Sequence, residues 1–233
     1  MTAIVRLRLG GYLRAYYAVA PMIAGLVVLS ILYGGGVARP EEAYGVSAVV
    51  LFPVLAWQAK ILLDAEPDVQ RQLIRVSAAS ASREIGAGLL AAAATAVPTI
   101  AAALGLPWLF GGIGPVQLKG QPAPLSLSTA LLLGTWLHLI VVPAAVVVGG
   151  LASRAVSRTA GLSAAVLGGA AVLAIVLGLS VSPSPWLAPP LMAAARAANA
   201  GLTGASVAGL TAWALAWAAV VGAGYWWVRL RRV

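Results

Sequence analysis

The chain has 233 residues, of which 61% are hydrophobic and 9% charged, and its mean hydropathy is +0.96. A soluble domain of this length needs more polar surface than that, so the composition excludes one. The net charge of +9 is not arranged as a basic stripe interleaved with aromatics, which argues against a nucleic-acid partner, and the absence of cysteine excludes disulfides, thiolate catalysis and cysteine metal sites.

Residues 1–14 read as an amphipathic interfacial helix. Val5, Leu9, Tyr12, Leu13 and Tyr16 recur at helical spacing on one face, and Arg6, Arg8 and Arg14 take the remaining arc. Such a helix lies in the inner membrane interface with its apolar face among acyl chains. Gly10 and Gly11 oppose its continuity. No small-residue cleavage site closes a short apolar core, so the start does not read as a cleavable signal peptide. The apolar run instead continues as a first span over 15–33. Each span predicted here approaches or exceeds the roughly 20 residues a helix needs to cross a ~30 Å hydrocarbon core.

Gly34-Gly35-Gly36 and Arg39-Pro40-Glu41-Glu42 then form a short solvated loop on the outer side. The second span covers 43–63; it is charge-free to Ala59, and Lys60 snorkels at its inner end. The polar segment that follows is the most patterned in the chain. Pro67 suits a first helical position, Glu66 and Asp68 stand at its start, and Arg71 and Arg75 stand towards its end, which matches the helix dipole. Val69, Leu73 and Val76 make a short apolar stripe, so 66–76 is predicted as a cytoplasmic helix that a partner protein grips.

A Ser-rich turn leads to span three over 85–110, with Ser82 as its N-cap. Span four covers 126–152 and carries the single histidine, His138, in its outer half near Trp136. Span five covers 159–181. Residues 182–203 are too long and too apolar for a turn; their Pro-rich half cannot be regular helix, while their Ala-rich half can, so a re-entrant or interfacial excursion is expected. Span six covers 205–228 and places Trp213 and Trp217 on one face. The small residues Gly88, Gly149, Gly150, Gly168, Gly169, Gly209 and Gly222 permit close helix contact, and Pro53, Pro98 and Pro143 introduce kinks.

With six spans both ends lie on one side. Twelve of the 15 basic residues fall on that side, and only Arg39, Lys119 and Arg196 fall on the other, so both termini are predicted to be cytoplasmic. The basic loops would sit against the anionic headgroups of the membrane lipid. The fold class expected is therefore all-α, a polytopic membrane protein with six transmembrane helices, an N-terminal interfacial helix and a cytoplasmic helix between spans two and three.

The chemistry of an enzyme is missing. There is no phosphate-binding Gly-x-x-x-x-Gly-Lys loop, one histidine without cysteine cannot make the usual zinc spacings, and no acids cluster within the spans. No catalytic residue, cofactor site or metal site is expected. An ion-coupled transporter would carry a buried carboxylate in mid-span, so transport by this chain would draw its energy from a separate subunit.

The basic N-terminal helix, the segment Glu66-Pro67-x-Val69-x-Arg71-x-Leu73-x-Arg75-Val76 ahead of Ser80-x-Ser82-Arg83-Glu84, and the Pro/Trp-bearing excursion before span six together resemble the exporter-type (type-two) permease subunits of ABC transporters. The resemblance spans nearly the whole chain and rests on layout. It implies a second permease, identical or homologous, and a cytoplasmic ABC ATPase that docks on the coupling helix. It assigns Glu66, Val69, Arg71, Leu73, Arg75 and Val76 to that docking. Trp213, Trp217 and His138 are the candidate cargo path, for an apolar or amphipathic cargo. Two other classes stand beside this one: a non-transport accessory or immunity subunit, and a passive or ion-coupled transporter.

Overall fold

The computed structural model describes residues 2–66, 80–114, 116 and 123–231. All regular structure among them is helical: α1 (Thr2–Arg14), α2 (Val19–Tyr33), α3 (Pro40–Asp64), α4 (Ala81–Ala94), α5 (Ala96–Leu109), α6 (Leu127–Ala152), α7 (Ala160–Leu177), a 3-10 turn (Pro185–Leu187), α8 (Leu191–Ala200) and α9 (Gly204–Arg231). Five helical segments, with α4 and α5 counted together, are long and apolar enough to cross a membrane, and there are six only if the sharply bent pair α1–α2 is counted as one span. The chain thus has the helices of a membrane-embedded protein.

α3 and α6 form the most extensive helix pair and the centre of the core. Both run from the end of the bundle that carries the Pro-rich excursion to the end that carries α1. Their approach is set by Gly149, where a Cβ would stand 2.5 Å from the Ala56 carbonyl oxygen and 2.7 Å from Ala59 Cβ. Only a residue without a side chain lets the two backbones come this close. Gly150 and Gly134 play the same part under the rings of Tyr225 and Tyr44. Gly168, Gly169 and Gly209 have nothing within 4 Å of the Cβ position, so these three predicted contact glycines touch no other helix within the chain.

α1 is a continuous helix despite Gly10 and Gly11, and it meets α2 at 75°. The elbow turns at Tyr16, whose φ of 57° places a non-glycine residue in the left-handed region. Part of the face predicted to meet acyl chains meets protein instead. Tyr12 is buried, and Val5 and Leu9 pack beside it on a cluster that includes Ala59, Leu62, Ala91 and Ala92. Leu13 and Tyr16 are exposed. Arg8, assigned by pattern to the polar arc, is buried.

Span three is broken at Thr95, between α4 and α5. Pro98 explains the break: it has no N–H for the Ala94 carbonyl, and its ring crowds that carbonyl. The N-cap is Ser80, whose hydroxyl accepts from the Arg83 backbone N–H, and not Ser82. The Pro-rich half of the later excursion holds only the 3-10 turn, and the Ala-rich half is helix α8, which packs along α3. Arg196 on α8 donates to the carbonyl of Gly178, the C-cap of α7, at 2.8 Å, a favourable position for a cation at a helix C-terminus. The α2–α3 and α5–α6 connections are stitched by a single parallel bridge, Ala38 to Ile113.

Candidate functional site: a buried charge node

Four charged side chains from four parts of the sequence converge at the α1 end of the bundle. Arg8 comes from the middle of α1, Glu66 from just after α3, Glu84 from the first turn of α4, and Arg229 from the last turn of α9. All four are buried, with 1% to 8% of their surface exposed. Arg8 faces Glu66 as a fork, donating from Nε to Oε1 at 2.8 Å and from Nη2 to Oε2 at 2.7 Å. The same Nη2 donates to Glu84 Oε1 at 2.6 Å, and Nη1 donates to the Glu84 backbone carbonyl at 3.1 Å. Arg229 Nη2 donates to the other carboxylate oxygen, Glu84 Oε2, at 2.9 Å. Glu84 therefore holds one arginine with each oxygen.

The charges balance within the node, two of each sign, which is the condition for taking ions out of water at all. Burial alone would push the Arg8 pKa down; its hydrogen bonds and attraction to Glu66 and Glu84 outweigh that and raise it above the ordinary value. Space for the guanidinium comes from Gly88, one turn after Glu84: a Cβ there would run into Arg8 Nη1. The small residue read as a helix-contact position is thus a socket for a side chain. Beside the node, Asp64 at the end of α3 accepts from the Arg154 backbone N–H at 2.7 Å and pairs with Lys60 at 3.0 Å, which fixes the α6–α7 turn against α3.

Of the predicted docking residues, Glu66 belongs to this node, where its carboxylate accepts from Arg8. Val69, Arg71, Leu73, Arg75 and Val76 lie outside the described residues. The predicted cargo-path residues do not form one group. His138 is fully buried between α6 and α3, where Nδ1 donates to the Gly134 carbonyl at 2.7 Å and Nε2 faces Ser47 Oγ at 3.2 Å. The Tyr44 ring stands edge-on to it, with centroids 6.0 Å apart. Ser47 and His138 are a hydroxyl beside an imidazole, yet both are sealed in the helix contact and Ser47 also bonds the Tyr44 carbonyl, so the arrangement is that of satisfied polar packing. Trp213 and Trp217 do share a face of α9, each half-buried, and Trp217 Nε1 donates to the Leu187 carbonyl of the excursion at 2.8 Å.

Arg8, Glu84 and Arg229 are not among the site residues expected from the sequence, which placed Arg8 only on a polar arc and Glu84 only at the end of a local pattern. The available signal was scarcity: the chain has only six acids, so a glutamate at the mouth of a span with a glycine one turn later marks a carboxylate that is entering the bundle. Comparison with protein-family models, curated proteins and solved structures gives no match. The functional reading therefore rests on the geometry and the residues themselves.

Proposed function

We propose that the chain is the permease subunit of an ATP-driven exporter of the ABC type, moving an apolar or amphipathic cargo across the cytoplasmic membrane. In this reading both termini are cytoplasmic, a separate ATPase supplies the energy, and a second permease completes the path. The observation that carries the proposal is the position of the charge node. Glu66 and Glu84 bracket the segment predicted to dock the ATPase, and Arg8 bonds to both. A push on that segment would be felt at α1 and, through Arg229, at α9, the helix that carries Trp213 and Trp217.

Two further features support the reading. Within the five long apolar segments from α3 onward, the Asp, Glu, Lys and Arg side chains stand near helix ends, so a path between these helices would suit a cargo without strong charge. α7 and α9 leave most of their apolar surface outside the bundle, which lipid and a second permease would cover. The alternative of an accessory subunit shares the membrane fold and lacks the coupling.

Replacing Leu73 with Asp tests the proposal, because residue 73 lies between the spans. Pull-down of the ATPase should be lost and cargo-stimulated ATP hydrolysis should drop to the basal level, while membrane insertion is unchanged. Undiminished association and coupling in the inserted variant would overturn the docking assignment.

A further inference from the structure

The node is more than a static cluster, because its bonds are shared unequally. Glu84 is the only one of the four residues that joins both arms: Oε1 accepts from Arg8 on α1, and Oε2 accepts from Arg229 on α9. The rest of each arm is attached differently. α1 packs mainly on α4, through Tyr12 and the apolar residues beside it. α9 runs along α6 and only lightly along α8, and few of its residues are buried. At its α1 end the contacts of α9 include Tyr225 over Gly150 and the Arg229–Glu84 ion pair. Nε of Arg229 is buried with no hydrogen-bond partner among the described residues, so this arm is bound by one guanidinium nitrogen where Arg8 uses three.

We propose that Glu84 is a two-way latch: it holds α1 with one oxygen and the end of α9 with the other, and α9 is the arm that releases first. Arg8 keeps Glu66 when Glu84 lets go, whereas Arg229 keeps no other ion pair among the described residues. The cause is the asymmetry of bonding: charge-assisted bonds from three guanidinium nitrogens tie Arg8 to Glu66 and Glu84, and a bond from one ties Arg229 to Glu84. The latch is a property of this chain alone and does not depend on the transporter reading.

Double electron–electron resonance on the full chain in lipid nanodiscs tests it, since the sequence has no cysteine to remove. Spin labels at the exposed positions Leu7 and Leu230 report on α1 and α9, each paired with a label at the exposed Leu139 of α6. A pair at Val46 and Leu139 checks the α3–α6 core. Arg229→Gln should broaden the 230–139 distance distribution and leave 7–139 narrow. Arg8→Gln should broaden 7–139 and leave 230–139 narrow. Glu84→Ala should broaden both, with the larger effect at 230–139, while 46–139 stays unchanged in all three. Should Glu84→Ala disturb the core pair, the two arginine variants decide by themselves. The proposal is overturned if either arginine variant broadens both distributions alike, or if Arg229→Gln leaves 230–139 as narrow as in the parent chain.

Discussion

Arg8 owes its position to a contest between dehydration and attraction. A guanidinium leaves water at a penalty of several kcal/mol, and only two carboxylates with matched geometry reverse that. Removing the cation takes the bidentate fork from Glu66 and leaves Glu84, among the described residues, with Arg229 as its remaining charge partner, so Arg8→Gln should lower stability by about 3–5 kcal/mol. Arg6→Gln, on the exposed side of the same helix, should change it by less than about 0.5 kcal/mol. Denaturant unfolding in detergent micelles measures both, and equal effects at the two positions would remove the distinction. Tyr12, one turn on from Arg8, carries a second test. Burial pushes its hydroxyl up to about 12, against about 10 for a free phenol. Between those values the folded chain keeps a proton that the unfolded chain has lost, so stability falls as pH rises through that window. Tyr12→Phe should flatten this alkaline decline relative to the parent and leave the curve below pH ~9 unchanged. Parallel curves throughout would mean that the phenol is not the titrating group.

Among elements, the α3–α6 contact separates glycines that pack from glycines that do not. Gly149 has no room for a methyl group beside Ala56 and Ala59, whereas Gly168 faces open space. Gly149→Ala should therefore cost about 1–3 kcal/mol through overpacking. Gly168→Ala should be neutral or mildly stabilising in the monomer, since alanine favours helix over glycine by about 1 kcal/mol. The same unfolding assay reads both, and a neutral Gly149→Ala would show that the two helices have slack. Sequence pattern named both residues as contact positions and could not tell them apart, because small-residue spacing describes a helix surface without saying what lies opposite. The helices themselves were largely legible: hydropathy and length placed each long helix to within a few residues of its bounds, and proline gave both the break near Thr95 and the non-helical start of the excursion. The face of α1 was misassigned for a physical reason. A stripe of Val5, Leu9 and Tyr12 is equally content against acyl chains or against alanine-rich helices, and amphipathicity alone does not choose.

For the whole molecule, the charge asymmetry makes a prediction that the fold leaves open. With twelve basic residues on one side and three on the other, both termini are predicted to face the cytoplasm. Single cysteines at Thr2 and Ala38 should then label oppositely with a membrane-impermeant maleimide: Ala38 in intact cells, Thr2 only after permeabilisation. Labelling of Thr2 in intact cells would reverse the orientation. The charge node itself was not legible at this scale. Its members stand at positions 8, 66, 84 and 229, and no local pattern announces a meeting of residues so far apart. Only the packing of the spans brings them to one point.

The elbow at Tyr16 also bears on the surrounding bilayer. It delays the start of α2 to Val19 and leaves that helix 15 residues, about 22 Å at ~1.5 Å per residue. A hydrocarbon core is ~30 Å thick, and α3 on the neighbouring flank, at 25 residues, clears it with length to spare. The two flanks differ in length, so with α2 crossing by itself the lipid beside it would have to thin, while lipid beside α3 would not. Such a thinning would draw shorter-chain lipids to the α2 side.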